Sequence, residues 1–256
     1  METVLYETKG SIAYITLNRP ERLNAANFQL IREYVGAKQA FEDDDDLWVA
    51  VVTGAGRAFC AGADLRREPG EEDTNETPAT LQERLEKEMN RRWKPVIAAV
   101  NGLCYGRGLG IAAGCDIRVA SERAVFCFAE PRWNLAGLWV PKLAAIIPPA
   151  AAMWMAATCA EVPAMKALQI GLVSEVVPDD QLMEAATATA EQICQNGPLA
   201  VRAGLQLLHT ILDKPYEEHL SLGAQLSARV SNSEDARSGE GRRAFAEKRK
   251  PMWKAR

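Results

Sequence analysis

Histidine is almost absent from the sequence: His209 and His219 are the only two among 256 residues. Both lie in the C-terminal third, where the residue spacing predicts helices and a histidine is usually a surface residue. Nucleophilic catalysis by a Ser-His or Cys-His pair is therefore not expected, because few histidines are present to act as the base.

Paired cysteines are also absent. The six cysteines lie far apart, with no C-x-x-C pair and no histidine close by. Zinc sites and disulfide frameworks both need cysteines at paired spacings. We therefore expect reduced and mostly buried cysteines, no disulfide framework and no metal site.

The chain has neither an excess of positive charge nor a long apolar run. Its formal net charge is −4, and the only basic stretch is the short tail EKRKPMWKAR. A nucleic-acid partner is not expected, because such proteins carry a basic stripe or face. No uncharged run reaches membrane-spanning length, and the N-terminus lacks the pattern of a secretory signal. We expect no membrane association, and the cytoplasm is the simplest location.

What the sequence does contain is an alternation of strand and helix patterns over its first half. With 48% apolar residues, it can bury a large core. Two β-rich runs, VLYET and SIAYITL, are separated by KG and predict a hairpin. A helical segment, NAANFQLIREYVGAKQAFEDD, and further short apolar strands follow. These strands are LWVAVVTG, PVIAAV, CDIRVAS and AVFCF.

Three further stretches lie between and after these strands. Residues 66–79 are acidic and rich in Pro and Gly, which predicts a mobile loop, either simply solvated or acting as a lid. Residues 77–93 have the spacing of a helix. After Pro141 the chain is predominantly helical, with Gly171 and the short strand LVSEVV as the main interruption.

The glycine-rich stretch CYGRGLGIAAGCD, residues 104–116, directly follows a predicted buried strand. It could hold a phosphate, bind an oxyanion, or allow two backbone segments to pack closely. It fits neither the Rossmann G-x-G-x-x-G pattern nor a P-loop, because the glycines are misplaced and no Gly-Lys-Ser/Thr follows. A turn into a helix instead presents backbone N–H groups that favour negative charge.

A second turn of small residues, AGRAFCAGADL, follows the strand LWVAVVTG. In this turn Gly62 permits an unusual backbone angle, and Ala63 leaves its N–H uncovered by a large side chain. Two N–H donors from separate turns, aimed at one point, would form an oxyanion hole.

Five blocks in this order resemble the enoyl-CoA hydratase/isomerase family, also called the crotonase superfamily. The blocks are VVTGAGRAFCAGADL, KPVIAAVNGLCYGRGLGIAAGCDIRVAS, AVFCFAE, ALQIGLVSEVVP and SEDARSGEGRRAFAEKRKPMW. Together with NRPERLNA near the N-terminus, they extend the resemblance over nearly the whole chain. The resemblance implies an α/β fold, a crotonase-type spiral of ββα units over residues 1–195. It also implies a C-terminal helical trimerisation region over residues 196–256, which packs on the core or on neighbouring subunits.

The resemblance also implies the catalytic residues. The backbone N–H groups of Ala63 and Arg107 would hold a thioester carbonyl. Because the family usually has glycine at the second position, a φ that disfavours a side chain is expected at residue 107. Family hydratases use two glutamates. The first position is Gly110 in this sequence, whereas the second, twenty residues later, is Glu130. Pro131 follows Glu130 and predicts an extended backbone at that glutamate.

Other positions are candidates for substrate binding by the same resemblance, each with a structural alternative. Asp64 at a turn is also a common local hydrogen-bonding residue. Trp133 and Trp139 could line an acyl pocket or belong to the core. Lys248 could approach the coenzyme A phosphates or adenine, or lie in a solvated tail. The candidate set is Ala61, Asp64, Leu65, Trp133, Trp139 and Lys248.

The function expected from the resemblance is chemistry on an acyl-CoA thioester, with coenzyme A entering as part of the substrate and no separate cofactor. One carboxylate suffices to move a double bond, because a single base can take a proton and return it. Isomerisation of an enoyl-CoA, with Glu130 as the acid/base, is therefore the primary expectation. A hydratase that lacks one family glutamate and a non-catalytic acyl-CoA binder are the alternatives. A homotrimer or hexamer is the expected assembly.

Overall fold

The computed structural model describes residues 2–66, 94–137, 139–210 and 215–256. The loop predicted for residues 66–79, apart from Arg66, lies outside the described residues, and so does the helix predicted for residues 77–93.

The larger of two sheets carries the core of the described chain. Its strands, in chain order, are β1 (Val4–Lys9), β2 (Ile12–Leu17), β3 (Val49–Gly54), β5 (Val96–Val100), β7 (Ile117–Ser121) and β10 (Glu175–Val177). Their order in the sheet is β1-β2-β3-β5-β7-β10. Strands β1 and β2 form the predicted antiparallel hairpin, and the other pairs are parallel.

A smaller sheet of short strands lies next to it. Its members are β4 (Ala58–Cys60), β6 (Leu103–Tyr105), β8 (Val125–Cys127) and β9 (Val162–Pro163). They are ordered β4-β6-β8-β9. Strands β4, β6 and β8 each follow a strand of the larger sheet after a tight turn. The chain therefore advances in repeated pairs of strands, which confirms the predicted α/β class.

The larger sheet is buried on both faces. Along β3, Ala50 and Val52 belong to one apolar cluster, whereas Val49 and Val51 belong to the other. Successive side chains of a strand point to opposite faces, so this alternation gives each face its own core. Parallel strands that are covered on both faces have continuous apolar sequences. This explains why β3 and β5 contain almost no polar residues.

Helices cover the sheets and make up most of the C-terminal half. Their bounds are α1 (Phe28–Asp43), α2 (Arg107–Ala113), α3 (Pro141–Ile146), α4 (Pro149–Thr158), α5 (Ala164–Gln169), α6 (Leu182–Cys194), α7 (Pro198–Thr210), α8 (Tyr216–Ser231), α9 (Glu234–Ser238) and α10 (Glu240–Glu247). Helix α1 begins where the Asn27 side chain accepts the amide of Leu30 at 3.0 Å, a standard N-cap. Helix α6 covers the second face of the larger sheet. None of the helices in the described ranges is long and apolar enough to cross a membrane.

The last residues of the chain are fixed to the helices around them. Glu240 Oε1 accepts hydrogen bonds from Arg249 Nη1 at 2.6 Å and from the backbone amide of Met252 at 2.7 Å. The Trp253 indole donates to the backbone carbonyl of Gln195 at 3.0 Å. The hydrogen bonds from Arg249 and Met252 hold the pKa of Glu240 far below its ordinary value.

Strand β4 is in backbone contact with three glycines. A Cβ added at Gly54, Gly102 or Gly108 would lie 2.2–2.3 Å from a backbone oxygen of residues 57–60. Real Cβ atoms do not approach backbone that closely, so these positions accept glycine alone in this arrangement. Close backbone packing, one of the three interpretations of the glycine-rich stretch, is thus correct for Gly108.

Candidate active site

The glycine-rich stretch forms a sharp turn between β6 and α2. Gly106 has φ 48° and ψ −117°, a conformation that residues with a Cβ rarely adopt. Arg107 is the first residue of α2 and is not among the positive-φ residues of the described chain. The unusual backbone angle therefore belongs to Gly106, and the side chain of Arg107 meets no backbone strain. The Arg107 amide is a first-turn amide of α2, the kind that points out of a helix N-terminus.

The second turn lies directly after β4. The backbone amide of Ala26 donates to the carbonyl of Gly62 at 2.8 Å, and the amide of Asp64 donates to the carbonyl of Ala26 at 3.0 Å. These bonds form a parallel bridge between Ala26 and Ala63. Because N–H groups alternate in direction along an extended chain, the Ala63 amide points away from Ala26.

The two turns touch each other. Gly62 has φ 110°, and a Cβ there would lie 3.3 Å from the backbone oxygen of Tyr105 and 4.0 Å from the Cα of Gly106. The chain segments that carry the amides of Ala63 and Arg107 are therefore neighbours. This is the proximity that a two-donor site requires.

Glu130 lies against the glycine turn. Its Oε1 accepts the indole N–H of Trp139 at 2.9 Å. Its Oε2 is buried and has no hydrogen-bond partner among the described residues. A Cβ added at Gly106 would lie 3.2 Å from that Oε2. One carboxylate oxygen is thus held by the protein, and the other is left unsatisfied beside the turn.

The backbone at Glu130 differs from the sequence expectation. Glu130 opens a one-turn 3-10 helix, Glu130–Trp133, instead of lying in an extended segment. Pro131 is compatible with this helix because the first turn of a helix needs no N–H donor at that position. The turn brings the Glu130 side chain back toward the glycine turn.

The pKa of Glu130 is raised above its ordinary value. Burial of the carboxyl group is the main cause, since a low-dielectric environment disfavours the charged form. The indole N–H of Trp139, nearby backbone amides and the positive charge of Arg107 oppose the increase. A carboxyl group with a raised pKa can hold a proton closer to neutral pH, as an acid/base group must.

Trp139 fills the space next to Gly110. The indole is 3% exposed and packs edge-on against Phe128, with ring centroids 5.3 Å apart. A Cβ added at Gly110 would lie 2.8 Å from both Cδ1 and Cγ of Trp139. At the position where the resemblance implies a glutamate in hydratases, this chain therefore has an indole instead of a carboxylate.

Asp64 forms an ion pair within the chain. Its Oδ2 lies 3.0 Å from Nη1 of Arg19, and the two side chains are 9% and 8% exposed. Arg19 also donates to the backbone carbonyl of Ala25 at 2.5 Å. The contacts of Asp64 are those of a turn-stabilising residue, the structural alternative considered for it.

The remaining candidates are spread more widely. Ala61 is in the Gly62 turn, next to the site. Leu65 and Trp133 are 52% and 62% exposed, so both are accessible to a ligand. Lys248 is exposed at the end of α10, and no hydrogen bond or ion pair joins it to Glu130 within the described part of the chain.

Two contacts of the site were missed by sequence reasoning. The sequence predicts Trp139 in the core or in an acyl pocket and does not reveal it as a hydrogen-bond donor to Glu130. Arg19 was not singled out, although it pairs with Asp64. Neither pairing has a spacing that the sequence would reveal. In the residues that the structure describes, no group of three or more His, Cys, Asp or Glu side chains is arranged to hold a metal ion.

The fold matches that of proteins with solved structures. The crystal structure of enoyl-CoA hydratase from Mycobacterium tuberculosis H37Rv superposes with a TM-score of 0.89 at 32% sequence identity, covering 100% of both chains. This likeness gives the chain the crotonase fold. The sequence profile described as enoyl-CoA hydratase/isomerase matches residues 7–256. The chain belongs to the enoyl-CoA hydratase/isomerase family.

Curated relatives agree with this assignment. Enoyl-CoA hydratase EchA19 of Mycobacterium tuberculosis is 36% identical, with 98% of this chain and 96% of the relative covered. The (E)-benzylidenesuccinyl-CoA hydratase of Thauera aromatica is 35% identical, with 98% of each chain covered. Membership of this family identifies the protein as an acyl-CoA enzyme, as the resemblance implied.

Proposed function

We propose that this protein moves a carbon–carbon double bond in an enoyl-CoA thioester, with Glu130 as the single acid/base. The observation that carries the proposal is the state of the Glu130 carboxylate. One oxygen is held by Trp139, and the other is buried without a partner beside Gly106. A buried carboxylate oxygen without a partner in the protein is costly for stability and requires an explanation, and a catalytic role is one that fits its position beside the two amide-bearing turns.

In the proposed reaction, a 3-enoyl-CoA binds with its thioester carbonyl at the amides of Ala63 and Arg107. Glu130 Oε2 takes a proton from C2, and the electron pair passes into the carbonyl to give a dienolate. The protonated carboxyl then returns a proton to C4, which leaves a 2-enoyl-CoA and the original carboxylate. A single positioned amide donor at a developing oxyanion is worth about 3–4 kcal/mol of transition-state stabilisation.

Hydration of a 2-enoyl-CoA is the second candidate, and the names of the relatives favour it. The Thauera aromatica relative is a hydratase by name, and so is the short-chain-enoyl-CoA hydratase of Clostridium acetobutylicum, which is 32% identical. In this chain Gly110 supplies no carboxylate, so either another residue or Glu130 alone with an ordered water would have to replace it. The isomerase proposal needs no such replacement.

The acyl-CoA substrate would bring coenzyme A with it, and no separate cofactor is needed for the proposed steps. We also propose a homotrimer, or a hexamer of paired trimers. Support comes from the C-terminal helices, where Leu208 on α7 and Leu220 on α8 are 64% and 52% exposed in the single chain. Apolar side chains of this size favour burial against another subunit.

The test is incubation with 2-enoyl-CoA and with 3-enoyl-CoA in deuterated water. Deuterium at C2 or C4 without 3-hydroxyacyl-CoA supports isomerisation. Hydroxyacyl product supports hydration, and tight binding with neither product supports a binder that has no turnover. Glu130→Gln keeps the shape of the side chain but removes the acid/base, and we expect activity to fall by about 10²–10⁴-fold.

The matched control is Glu122→Gln, since Glu122 is an exposed glutamate on the same part of the chain. It undergoes the same chemical change away from the site, and its activity should equal that of the parent protein. Full activity in Glu130→Gln would refute the assignment of Glu130.

A further inference from the structure

The strongest unexplained feature of the site is the indole of Trp139. Its Nε1–H donates to Glu130 Oε1 at 2.9 Å, while Oε2 of the same carboxylate is left unsatisfied. A hydrogen bond to one oxygen of a carboxylate restricts rotation of the group and therefore determines where the second oxygen points. The proposed chemistry requires that second oxygen to face the substrate.

The indole is itself held in place. It packs edge-on against Phe128, with ring planes at 86°. A Cβ at Gly110 would lie 2.8 Å from the ring, and one at Gly137 would lie 2.7 Å from Nε1. The two glycines thus make room for the ring, and the surrounding contacts leave it little freedom to rotate. A donor fixed in this way imposes its geometry on its acceptor.

We infer that Trp139 is the positioning residue of Glu130: its indole N–H fixes the carboxylate so that Oε2 is presented at the glycine turn. The inference rests on the proposed function only in assigning Oε2 to proton transfer. Trp139 does not contact reacting atoms in this scheme and acts through Glu130. Its assignment as a lining residue of the acyl pocket is a separate expectation.

Two substitutions separate the hydrogen bond from the bulk of the ring. Trp139→Phe keeps a large aromatic ring but has no N–H. Trp139→His loses the six-membered ring but keeps a donor, because imidazole Nε2 stands in the same position relative to Cγ as indole Nε1. If the donor positions Glu130, Trp139→His retains more activity than Trp139→Phe. If only the volume of the side chain at residue 139 matters, Trp139→Phe retains more activity than Trp139→His.

The expected size follows from the geometry of catalysis. A reacting group displaced by about 1 Å can lose about a hundredfold in rate. We expect kcat to fall by about tenfold to a hundredfold in Trp139→Phe, with a much smaller change in KM, because the carboxylate is misplaced while the binding surface is kept. The matched control is Trp154→Phe on α4, which removes an indole outside the site and should leave kcat unchanged.

The pH dependence gives a readout that a merely structural role would not change. The Trp139 N–H lowers the pKa of Glu130, so its removal raises that pKa. The base form of Glu130 is then lost at a higher pH, and the acid limb of the kcat profile moves upward in Trp139→Phe. The comparison of activities with Trp139→His is made at pH 8, above the ordinary pKa of histidine of about 6.5.

Two measurements keep this inference separable from the proposed function. Infrared titration of the Glu130 carboxyl, identified by subtraction of the Glu130→Gln spectrum, reports the pKa increase in Trp139→Phe without any substrate. Full activity in Glu130→Gln would refute the proposed function while leaving that titration readable. An unchanged titration, an unchanged kcat in Trp139→Phe, or activity in the double variant Glu130→Gln/Trp139→His would overturn the positioning role.

Discussion

Gly110→Ala is the substitution that most directly tests the packing around the site. Gly110 is a buried residue of helix α2, and an added Cβ would lie 2.8 Å from Cδ1 and Cγ of Trp139. The indole cannot move away easily, because Phe128 packs against it. Alanine is normally favoured over glycine inside a helix, so local propensity and tertiary packing make opposite predictions at this position.

The expected magnitude is a sum of these two effects. Replacing glycine by alanine in a helix interior gains up to about 1 kcal/mol. Forcing a methyl group into a packed core costs about 1–3 kcal/mol, and a rigid aromatic ring favours the upper half of that range. We expect a net loss of about 1–2 kcal/mol, which corresponds to a decrease in Tm of about 3–6 °C for a chain of this size.

The assay is thermal unfolding at one fixed protein concentration, with Gly36→Ala as the matched control. Gly36 lies within α1, and nothing stands within 4 Å of the added Cβ, so its Tm should rise. In a Trp139→Ala background the Gly110→Ala change should no longer destabilise, because its contact is gone. Equal Tm changes for the two glycines, or an undiminished cost in that background, would refute the packing argument.

Two further predictions concern ion pairs, one at the Ala63 turn and one in the C-terminal tail. Arg19→Met leaves Asp64, whose side chain is 9% exposed, without its charged partner. We expect a loss of about 1–3 kcal/mol in urea unfolding, because a largely desolvated carboxylate loses a charged hydrogen bond. An Arg19→Met protein as stable as the parent would show that the pair contributes nothing. Glu240→Gln removes the charge that binds Arg249, so carboxypeptidase should release the C-terminal residues faster at neutral pH. The pKa of Glu240 is lowered in the folded chain, so its contribution to stability is present above the ordinary glutamate pKa and is lost as the pH falls through the lowered value. Carboxypeptidase should therefore release the C-terminal residues of the parent faster on acidification. The release from Glu240→Gln should change less with pH.

Much of the fold could be predicted from local pattern. The hairpin of β1 and β2, the amphipathic helix α1 and the helical C-terminal half each have a periodicity or turn residue that identifies them. The strands β4, β6 and β9 could not be predicted, because each has only two or three residues and lies in a segment with turn or proline signals, whereas the equally short β8 lies in the apolar run AVFCF. Strands this short are formed by pairing with neighbours that are distant in sequence, and no local pattern shows that.

The candidate site also has features that the sequence predicts and features that depend on tertiary packing. The two small-residue turns and Glu130 could be found, because each lies within a few residues of a strand that the sequence predicts, β3, β5 or β8, and the resemblance gives their order. The unusual φ was expected at residue 107, but the turn places it one residue earlier, at Gly106. The hydrogen bond from Trp139 to Glu130 was not predicted, because the 3-10 turn that brings the two side chains together depends on packing.

The three glycines packed on strand β4 have a consequence for how this site can change in evolution or in the laboratory. Side chains throughout the core can be exchanged for others of similar volume with gradual effects. The contacts of Gly54, Gly102 and Gly108 with β4 join backbone to backbone, so no side-chain exchange elsewhere can substitute for them. In a saturation library these three positions should tolerate no replacement, while their apolar neighbours vary. The spacing of the two amide-bearing turns would then be inherited unchanged, even as the acyl pocket diversifies around them.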